Sequence, residues 1–561
     1  MTLKKIISVL KQERFGLPRH LSELHPAFIA TEEPMTATAS ENTYDQVPYP
    51  KWTHRDTHPR ELEAIGTLFG MHPVPITDSR VLEIGCAAGW NLIPMAQDLP
   101  DSQFVGIDLS ASQSADARAL ATEARLENVR LEHADILDVD ASWGRFDYIV
   151  CHGTYSWVPE PVREKILEIC KNNLTADGVA LVSYNIYPGW HFRRMIRDMM
   201  LYHTSGNADP QAQITQARAV LDFLAANCSQ DSAYATVLRD EVEAIKSAAD
   251  AKLFHDHLEH VNHPVYFHQF AEQAQAAGLQ YLGDVQFSSM LAKFLPKTAQ
   301  DALADLPLIQ QEQYVDFLRN RAFRRTLLCH ANVALERNLH ADAMHGFHFA
   351  LVMALHAEQI DLDSDDPVSF KQGEETKLES AEPIVKSAVG QLANHWPEAL
   401  SFDDLHAAAL KDLPPSKRAR YTTKNSAEGP ASKKALASLL MMLLGAGIVH
   451  AWVHPPRKRP QLQERPVASP IARLQARQGG LVSNGLHQQV MLDDTERQIV
   501  ANLDGEHDRQ ALVDGLRDAL ASGAMVIKES DEAPPEVSGE RLSQIVEKAL
   551  GRLHESALLV D

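Results

Sequence analysis

The segment VLEIGCAAGWN (residues 81–91) has residue types and a spacing that suit the binding of a small ligand. An apolar run leads to Glu83 and Gly85, and Gly89 follows four residues later. Gly85 permits a sharp turn from a strand into a helix, and Gly89 would allow the backbone to approach a ligand closely. The acidic Glu83 before the first glycine suits a cationic or amino-bearing ligand. The segment therefore predicts a strand–turn–helix unit that binds such a ligand.

Two further acidic residues end the next two predicted strands. Asp108 lies in FVGIDLS, nineteen residues after Gly89, where a carboxylate accepts hydrogen bonds from a ribose diol. Asp135 follows in HADI, where it would accept from an adenine amino group while Ile136 packs against the ring. Dinucleotide binding is the alternative, but it favours G-x-G-x-x-G, whose helix amides grip a pyrophosphate. The turn here reads G-C-A-A-G, which argues against a dinucleotide.

Five short apolar runs supply the strands that must position these side chains. They cover residues 81–86, 104–110, 129–136, 146–151 and 178–185, and most of the segments between them have helical periodicity. This alternation predicts βαβ units and a parallel sheet that is covered on both faces. After Tyr202 the pattern becomes helical only, and then a helix, a Gly278 cap and a strand follow within residues 264–287. Residues 324–333 read as the final strand, so we expect the sheet to resume after a helical insertion.

Charge and cysteine content exclude several classes of protein. The formal net charge of −22 argues against a nucleic-acid partner, because phosphate neutralisation needs clustered Lys and Arg. Five cysteines without a CxxC pair predict reduced thiols in a cytoplasmic protein, with neither a disulfide framework nor a zinc knuckle. The apolar segment 436–449 is too short to span a bilayer, so no stable membrane insertion is expected. The five histidines of HDHLEHVNHPVYFH (255–268) lack cysteines or paired carboxylates beside them, and we expect no metal.

Glu83, Gly85, Gly89 and Asp108 together resemble the motifs of the class I S-adenosylmethionine-dependent methyltransferases. Their turn is commonly (Asp/Glu)-x-Gly-x-Gly-x-Gly, and here Ala87 stands at the middle glycine. The stretches YDQVPYPKWTHRDTHPREL, SYNIYPGW and EQYVDFLRNRAFRRTLLCHA are similar to one bacterial subgroup, which carries a "methyltransferase regulatory domain". That subgroup includes protein-lysine methyltransferases that modify outer-membrane surface proteins. The resemblance covers roughly residues 41–335.

The resemblance implies an α/β fold of the class I methyltransferase type. We expect a Rossmann-like, mostly parallel seven-stranded sheet with a helical insertion and C-terminal helical, winged-helix-like domains. The expected domains are an N-terminal arm and linker (1–40), an S-adenosylmethionine-binding core (41–200), a helical insertion (201–260), the completion of the sheet (261–335), a helical, winged-helix-like domain (340–455) and a C-terminal winged-helix-like domain (465–561). Within the penultimate domain, residues 411–433 read as a basic loop.

The resemblance also implies a set of cofactor-binding residues. The methionine part of S-adenosylmethionine would lie against the turn, and the ribose and adenine against the ends of the second and third strands. Cys151 and His152, at the end of the fourth strand, would face the sulfonium, and Tyr49 would close the pocket from the N-terminal side. The expected contacts are Glu83, Gly85, Cys86, Ala87, Gly89 and Asn91 to the methionine part, Asp108 and Leu109 to the ribose and adenine, and Asp135 and Ile136 to the adenine.

Aromatic residues follow the fourth and fifth strands at the edge where the methyl group would point. Aromatic faces and tyrosine hydroxyls can hold an alkylammonium group and then orient the neutral amine. The alternative is that these rings pack in the core beneath the insertion. The fourth strand ends in CHGTYSWVP rather than in the Asn/Asp-Pro-Pro-aromatic motif that grips a base amino group. The predicted catalytic residues are Tyr155, Trp157, Tyr184, Asn185 and Tyr187.

The sequence thus predicts an S-adenosylmethionine-dependent methyltransferase that transfers methyl to protein lysine by in-line displacement. Its expected partner is a protein substrate, and a homodimer is left open. One alternative is a small-molecule O- or N-methyltransferase with the same core. Another is a non-catalytic, cofactor-binding regulatory protein, although the intact Gly85, Gly89 and Asp108 argue against it.

Overall fold

Seven strands with buried aliphatic residues form the central sheet of the protein. The computed structural model describes residues 43–228, 232–292, 295–422, 431–523, 525 and 538–560. The strands of the sheet are β1 Arg80–Ile84, β2 Gln103–Asp108, β3 Val129–His133, β4 Phe146–Cys151, β5 Leu174–Asn185, β6 Leu279–Asp284 and β7 Phe323–His330. The predicted N-terminal arm lies outside the described residues.

The strand order is β3-β2-β1-β4-β5-β7-β6. Strands β1 to β5 pair in parallel, whereas β7 runs antiparallel to both β5 and β6. The chain builds outward from β1 to β3 and then returns to place β4 on the other side of β1. Ligands of open α/β sheets bind at such a switch point, outside the carboxyl ends of the strands. The prediction of a mostly parallel seven-stranded sheet is confirmed.

Both faces of this sheet are buried, which explains why its strands read as continuous apolar runs. Val81 and Leu181 belong to the core on one face, and their neighbours Leu82 and Val182 belong to the core on the other. The covering helices are Pro59–Leu68, Leu92–Asp98, Ala111–Glu123, Glu160–Asn172, Phe267–Ala276 and Leu308–Arg319.

A group of helices is inserted between β5 and β6 and has a small core of its own. Its members are the helices Trp190–Thr204, Pro210–Asn227, Ala233–Lys246 and Asp250–Leu253 and a π-helix, Phe254–Leu258. Ile196, Leu221 and Leu238 pack together at the centre. The first of these helices starts at Trp190, so β5 leads almost directly into the insertion, and the predicted boundary at residue 201 falls inside a helix.

The next part of the chain combines a three-stranded sheet with helices. Its strands are β8 His348–Leu351, β9 Val368–Gln372, β10 Glu375–Ser380, β11 Leu400–Ser401 and β12 Val449–Trp452, of which β11, β8 and β12 pair antiparallel. Its helices are Pro383–His395, Phe402–Asp412, Pro415–Thr422 and Ala431–Gly445. The helix Pro415–Thr422 corrects the prediction of a loop over 411–433, because Pro415 at its first turn suits a helix start. Residues 423–430 lie outside the described part.

The C-terminal domain has a separate core that includes Val482, Leu516 and Leu550. Its strands are β13 Val467–Ala468, β14 Leu481–Ser483, β15 Gln489–Met491 and β16 Leu559–Val560, and its helices are Pro470–Gln478, Asp494–Val500, Arg509–Ala521 and Gly539–Glu555. Strands β14 and β15 form a hairpin, which we call the C-terminal hairpin (residues 481–491). This hairpin contacts the cofactor-binding core.

No helix in the described ranges is long and apolar enough to cross a membrane. Across the same ranges, no group of three His, Cys, Asp or Glu side chains is arranged to hold a metal ion. Two of the histidines in the 255–268 segment are buried in the insertion: His255 bonds to Glu259, and His257 packs nearby.

Candidate active site

The glycine turn after β1 contains two glycines with positive φ, each of which is needed for a different packing reason. Gly85 has φ +75°, and a Cβ there would lie 2.3 Å from Thr154 Oγ1. Gly89 has φ +73°, and a Cβ there would lie 2.6 Å from Ile93 Cδ1 and 3.1 Å from Ala117 Cβ. Gly89 therefore has a packing role, because a Cβ there would face two helices. The close approach of a ligand to its backbone stays a prediction.

Ala87 lies at the centre of the turn and has a left-handed backbone, with φ +47°. Its amide donates a hydrogen bond of 2.8 Å to Asp108 Oδ2, while Asp108 Oδ1 accepts one of 2.8 Å from the amide of Ser110. The carboxylate thus joins the end of β2 to the turn that follows β1. Burial raises the pKa of Asp108. Each carboxylate oxygen keeps a second lone pair that a ribose hydroxyl can use.

Glu83 at the end of β1 carries a buried carboxylate oxygen that needs a partner. Its Oε1 accepts a hydrogen bond of 2.6 Å from Asn91 Nδ2, whereas Oε2 has no hydrogen-bond partner among the described residues. Burial raises the pKa of Glu83 to about 7. Leaving such an oxygen unpaired is costly. A bound amino group would satisfy it, so the site fits the methionine part of S-adenosylmethionine.

A cleft of about 470 Å³, including its open mouth, lies beside the turn. Seven predicted cofactor residues line it, namely Tyr49, Glu83, Gly85, Cys86, Ala87, Asn91 and His152. Sequence reasoning missed the others, which are Pro50, Lys51, Trp52, His54, Ala88 and Trp90.

One wall of the cleft comes from residues 43–54, which we call the N-terminal strap. Two neighbouring residues at its start hold it on two sides. Asp45 accepts hydrogen bonds from the hydroxyls of Ser110 (2.5 Å) and Ser112 (2.6 Å), beside Asp108. Tyr44 stacks on His255 of the π-helix, with ring centroids 4.3 Å apart. The strap is therefore held by both the sheet and the insertion, and Tyr49 to His54 follow along the cleft. A signal for this wall was present in the sequence, since Tyr49, Lys51, Trp52 and His54 crowd into six positions.

Two histidines face each other in the cleft beyond the end of β4. The ring centroids of His54 and His152 are 4.2 Å apart, and His152 Nδ1 is buried without a hydrogen-bond partner in the described chain. Burial, assisted by the positive charge of Arg325, lowers the pKa of His54 to about 4. Burial also lowers the pKa of His152. Both imidazoles are therefore neutral near pH 7, when each can accept a hydrogen bond.

The residues predicted to hold the adenine lie at the ends of β2 and β3, outside the lining of the cleft. Leu109 is 58% exposed. Asp135 caps the short helix Ile136–Asp138 by accepting a hydrogen bond of 2.9 Å from the amide of Leu137. Asp135 and Ile136 are only partly buried. Their contact with adenine stays a prediction.

Cys151 does not reach the cleft. Its side chain is fully buried in the core that also contains Val182 and Tyr184, and burial raises the pKa of its thiol. Successive side chains of a strand point to opposite faces, so Cys151 faces the core while His152 turns to the cleft. The expectation that Cys151 faces the sulfonium is corrected on this ground.

The predicted catalytic tyrosines pack in the core or on the surface, and none of the three lines the cleft. The Tyr184 hydroxyl lies 2.8 Å from Thr326 Oγ1, and its ring stacks on Phe270 at 4.0 Å. The buried Tyr155 donates a hydrogen bond of 2.8 Å to Gln273. Tyr187 is partly exposed and accepts a hydrogen bond of 2.9 Å from Arg194. The geometry therefore does not support an acceptor channel built from these three rings.

The other two predicted catalytic residues have different surroundings. Trp157 packs edge-on against Trp190, with ring centroids 6.2 Å apart, at the start of the insertion. Asn185 is only 4% exposed, and its Nδ2 is buried without a hydrogen-bond partner among the described residues. Of the five predicted residues, Asn185 is thus the one whose polar group is left for a bound molecule.

Three family models match parts of the chain. A model described as "Methyltransferase domain" matches residues 81–178, and one described as "Predicted methyltransferase regulatory domain" matches residues 249–330. A third, described as "PKMT, C-terminal winged helix domain", matches residues 464–558. The three models match successive parts of the chain without overlap.

Relatives and solved structures extend this similarity over most of the chain. An uncharacterized protein of Rickettsia prowazekii, RP789, is 34% identical over 87% of this chain and 88% of its own length. A second, RP028, is 42% identical over 42% of this chain and 94% of its own length. The structure of PKMT2 from Rickettsia typhi is 31% identical, with a TM-score of 0.80, over 92% of this chain and 100% of that one.

PKMT2 from Rickettsia typhi has also been solved in complex with AdoHcy, and that structure matches with a TM-score of 0.79. AdoHcy is the product that S-adenosylmethionine leaves after methyl transfer. The shared sheet, the glycine turn and the unpartnered carboxylate of Glu83 agree with the same cofactor here. The protein is an S-adenosylmethionine-dependent methyltransferase, and it belongs to the family of PKMT2 from Rickettsia typhi.

Proposed function

We propose that the methyl acceptor is the ε-amino group of a lysine in a protein substrate. The observation that carries the proposal is the pair of neutral imidazoles, His54 and His152, in the cleft at the end of β4. The likeness to PKMT2 and to the PKMT winged-helix model supports it over nearly the whole chain. The name PKMT is that of a protein-lysine methyltransferase.

An amine must lose its proton before it can attack a methyl group. Burial beside positive charge lowers the pKa of an ammonium group, and Arg325 already acts on both imidazoles in this way. Imidazoles with so low a pKa are weak bases and rarely hold a second proton at neutral pH, but their unprotonated nitrogen accepts a hydrogen bond well. His152 Nδ1 is free to accept one from the neutral amine and to aim its lone pair.

The remaining residues of the cleft bind and orient the cofactor. When bound, S-adenosylmethionine supplies the activated methyl group for an in-line displacement. Glu83 Oε2 would hold the amino group of its methionine part. Asp108, just outside the lining of the cleft, would hold the ribose while it fixes the turn through the Ala87 amide. Asn185 does not line the cleft, but its Nδ2 has no partner among the described residues, and we propose it as a further donor on the acceptor side.

The mouth of the cleft suits a side chain that enters from a larger molecule. Trp52 is 49% exposed, and Lys51 beside it lies 5.5 Å from the centre of the Trp90 ring. An exposed aromatic rim can contact the aliphatic part of a lysine while the backbone of the substrate stays outside. A small acceptor would gain more from a closed cavity than from this open rim.

The acceptor can be identified by incubating the full-length protein with isotopically labelled S-adenosylmethionine and a protein extract. Acid hydrolysis followed by amino-acid analysis is expected to place the label on methylated lysine. Mass spectrometry of the intact proteins then identifies the modified sites. An extract whose lysines have been acetylated beforehand is the matched control and should take up no label.

Two results would contradict the proposal. One is label on another residue type, or label that the acetylated extract takes up equally well. The other is label recovered only in the small-molecule fraction, which would favour an O- or N-methyltransferase for small acceptors. The variant His152→Phe keeps a ring of similar shape but removes both nitrogens, and it should slow transfer while cofactor affinity stays within about threefold.

A further inference from the structure

We propose that His487, at the tip of the C-terminal hairpin, is a positioning residue that acts on the cofactor's amino group through Asn91 and Glu83. The inference concerns cofactor binding and holds whatever the methyl acceptor is. It makes the C-terminal winged-helix domain a structural part of the cofactor site. His487 lies 396 positions from Asn91 along the chain.

A continuous set of hydrogen bonds carries the proposal. Asn91 Nδ2 donates to Glu83 Oε1 at 2.6 Å, and Asn91 Oδ1 lies 3.0 Å from His487 Nε2. The backbone amide of His54 donates to the same Oδ1 at 2.8 Å. The free oxygen of Glu83 is at the other end of this set, in the cleft.

The chemistry of the neighbours fixes the orientation of the Asn91 amide. Its Nδ2 must face Glu83, because a carboxylate only accepts, and its Oδ1 must face the His54 N–H, because a backbone amide only donates. The oxygen therefore also faces His487, so that His487 donates through Nε2–H. Burial lowers the pKa of His487, which agrees with a neutral ring.

The three side chains of this set are nearly inaccessible to water. Glu83, Asn91 and His487 are exposed by 4%, 6% and 4% respectively. Water cannot replace a lost partner at such sites without rearrangement, so removal of the His487 donor leaves the Asn91 oxygen with fewer donors, namely the His54 amide and the Thr57 hydroxyl. The Asn91 amide would then be held less firmly, and so would the Glu83 carboxylate that it orients.

The hairpin holds His487 in place by bonds of its own. Asn484 Oδ1 accepts from the amides of Leu486 at 3.0 Å and Gln488 at 2.8 Å, which fixes the tip. His487 has a left-handed backbone, with φ +53°. Next to it, Ser483 Oγ lies 2.6 Å from Thr53 Oγ1 of the N-terminal strap. His487 thus has a strained backbone, lies in a hairpin that is fixed at its tip and at Ser483, and reaches a residue of another domain with its ring. These features are better explained if His487 positions Asn91 than if it only fills space.

The test is the affinity of the full-length protein for S-adenosylhomocysteine, measured by titration calorimetry without any acceptor. His487→Ala is expected to weaken binding about tenfold, which corresponds to one lost hydrogen bond to a buried polar group. His487→Gln places an amide nitrogen near the position of Nε2 and is expected to stay within about threefold of the unchanged protein. His487→Asn is too short to reach Asn91 and should resemble His487→Ala.

The comparison of these variants shows whether a loss of affinity comes from the missing bond to Asn91 or from unfolding of the C-terminal domain. Asn tolerates a left-handed backbone better than Ala, so His487→Asn keeps the test open if His487→Ala is too unstable to measure. Arg552→Ala removes the ion pair with Glu496 inside the same domain and serves as the control for domain stability. It should lower the melting temperature and leave the affinity unchanged.

A double variant tests whether His487 acts through Asn91. In the Asn91→Ala background, His487→Ala is expected to cause no further loss of affinity, because the bond it removes is already absent. The proposal is overturned if His487→Ala binds normally, if His487→Gln binds as weakly as His487→Ala, or if the two losses simply add. Since no acceptor is present, these outcomes are independent of the lysine assignment.

Discussion

The carboxylate of Asp108, at the end of β2, accepts a hydrogen bond of 2.8 Å from the backbone amide of Ala87, in the turn that follows β1. The same carboxylate accepts another from the amide of Ser110. Asp108 therefore fixes the shape of the turn before any cofactor arrives. Its proposed contact with the ribose adds a second function to a group that already has a structural one.

Asp108→Ala is expected to weaken the affinity for S-adenosylhomocysteine by about tenfold or more, because it removes charge-assisted hydrogen bonds to the ribose and loosens the turn. Titration calorimetry measures this change. Asp116→Ala is the matched control, since the Asp116 side chain is 65% exposed and its ion pair with Lys51 spans 3.8 Å. Equal affinity in the two variants would show that the ribose lies elsewhere.

The pKa of Glu83 predicts how cofactor affinity depends on pH. Burial raises its pKa to about 7, so the carboxyl group of the free protein is increasingly protonated as the pH falls below that value. A cationic amino group binds the carboxylate form. We therefore expect affinity to fall about tenfold between about pH 8 and about pH 6. In Glu83→Gln affinity should be weak and nearly independent of pH; a parallel dependence in both proteins would contradict the assignment.

The raised pKa of Glu83 also predicts that the stability of the cofactor-free protein changes with pH in the direction opposite to cofactor affinity. A carboxyl group whose pKa is raised in the folded state, from 4.5 to about 7, stabilises the protein fully at low pH and loses that contribution as the pH rises through about 7. Glu83→Gln has no charge to bury. Above about pH 7, without cofactor, it should therefore melt at a higher temperature than the unchanged protein, with a difference in stability of up to about 3 kcal/mol. The advantage should shrink on acidification.

Ala87→Gly is expected to stabilise the protein by about 1 kcal/mol. A left-handed backbone costs a residue with a Cβ roughly 1–2 kcal/mol, and the greater freedom of glycine in the unfolded chain offsets only part of the gain. Thermal unfolding measures the change. Ala88→Gly is the control: Ala88 is buried and has no positive φ, so its replacement should lower stability. A loss of stability in both variants would mean that the Ala87 backbone is not strained.

Tyr184→Phe should retain turnover and lose about 1 kcal/mol of stability, because its hydroxyl bonds to Thr326 in the core. Asn185→Ala should slow methyl transfer while cofactor affinity changes little, since its buried Nδ2 is unpaired among the described residues. Single-turnover kinetics with a fixed amount of acceptor compares the two. Slow transfer in Tyr184→Phe would restore the acceptor role that its sequence position suggested.

The central sheet could be predicted because its evidence is local. Each apolar run of β1 to β5 and each intervening helix can be recognised within a few residues, and the glycine turn follows β1 directly. The sequence around Tyr184 also indicated that its ring would be buried. Tyr184 lies on the same face of β5 as Val182, whereas Asn185 lies on the same face as the polar Ser183. A stricter use of this alternation would have separated Tyr184 from Asn185.

The rest of the site could not be predicted, because distant segments form it. His54 lies before the first strand, and His487 is on a hairpin of the last domain, yet both contact Asn91. Nothing in a single sequence relates positions so far apart. The packing role of Gly89 likewise depends on where the helix containing Ala117 comes to rest.

The C-terminal hairpin also sets an order of events during synthesis. A ribosome makes Asn91 long before His487, which comes 396 residues later, and domains generally fold as they emerge. The sheet and the glycine turn can therefore form while His487 is still unmade. On our proposal, a growing or prematurely ended chain would possess the recognisable sequence motif and the lining of the cleft but would compete less well than the completed polypeptide for the cell's methyl donor.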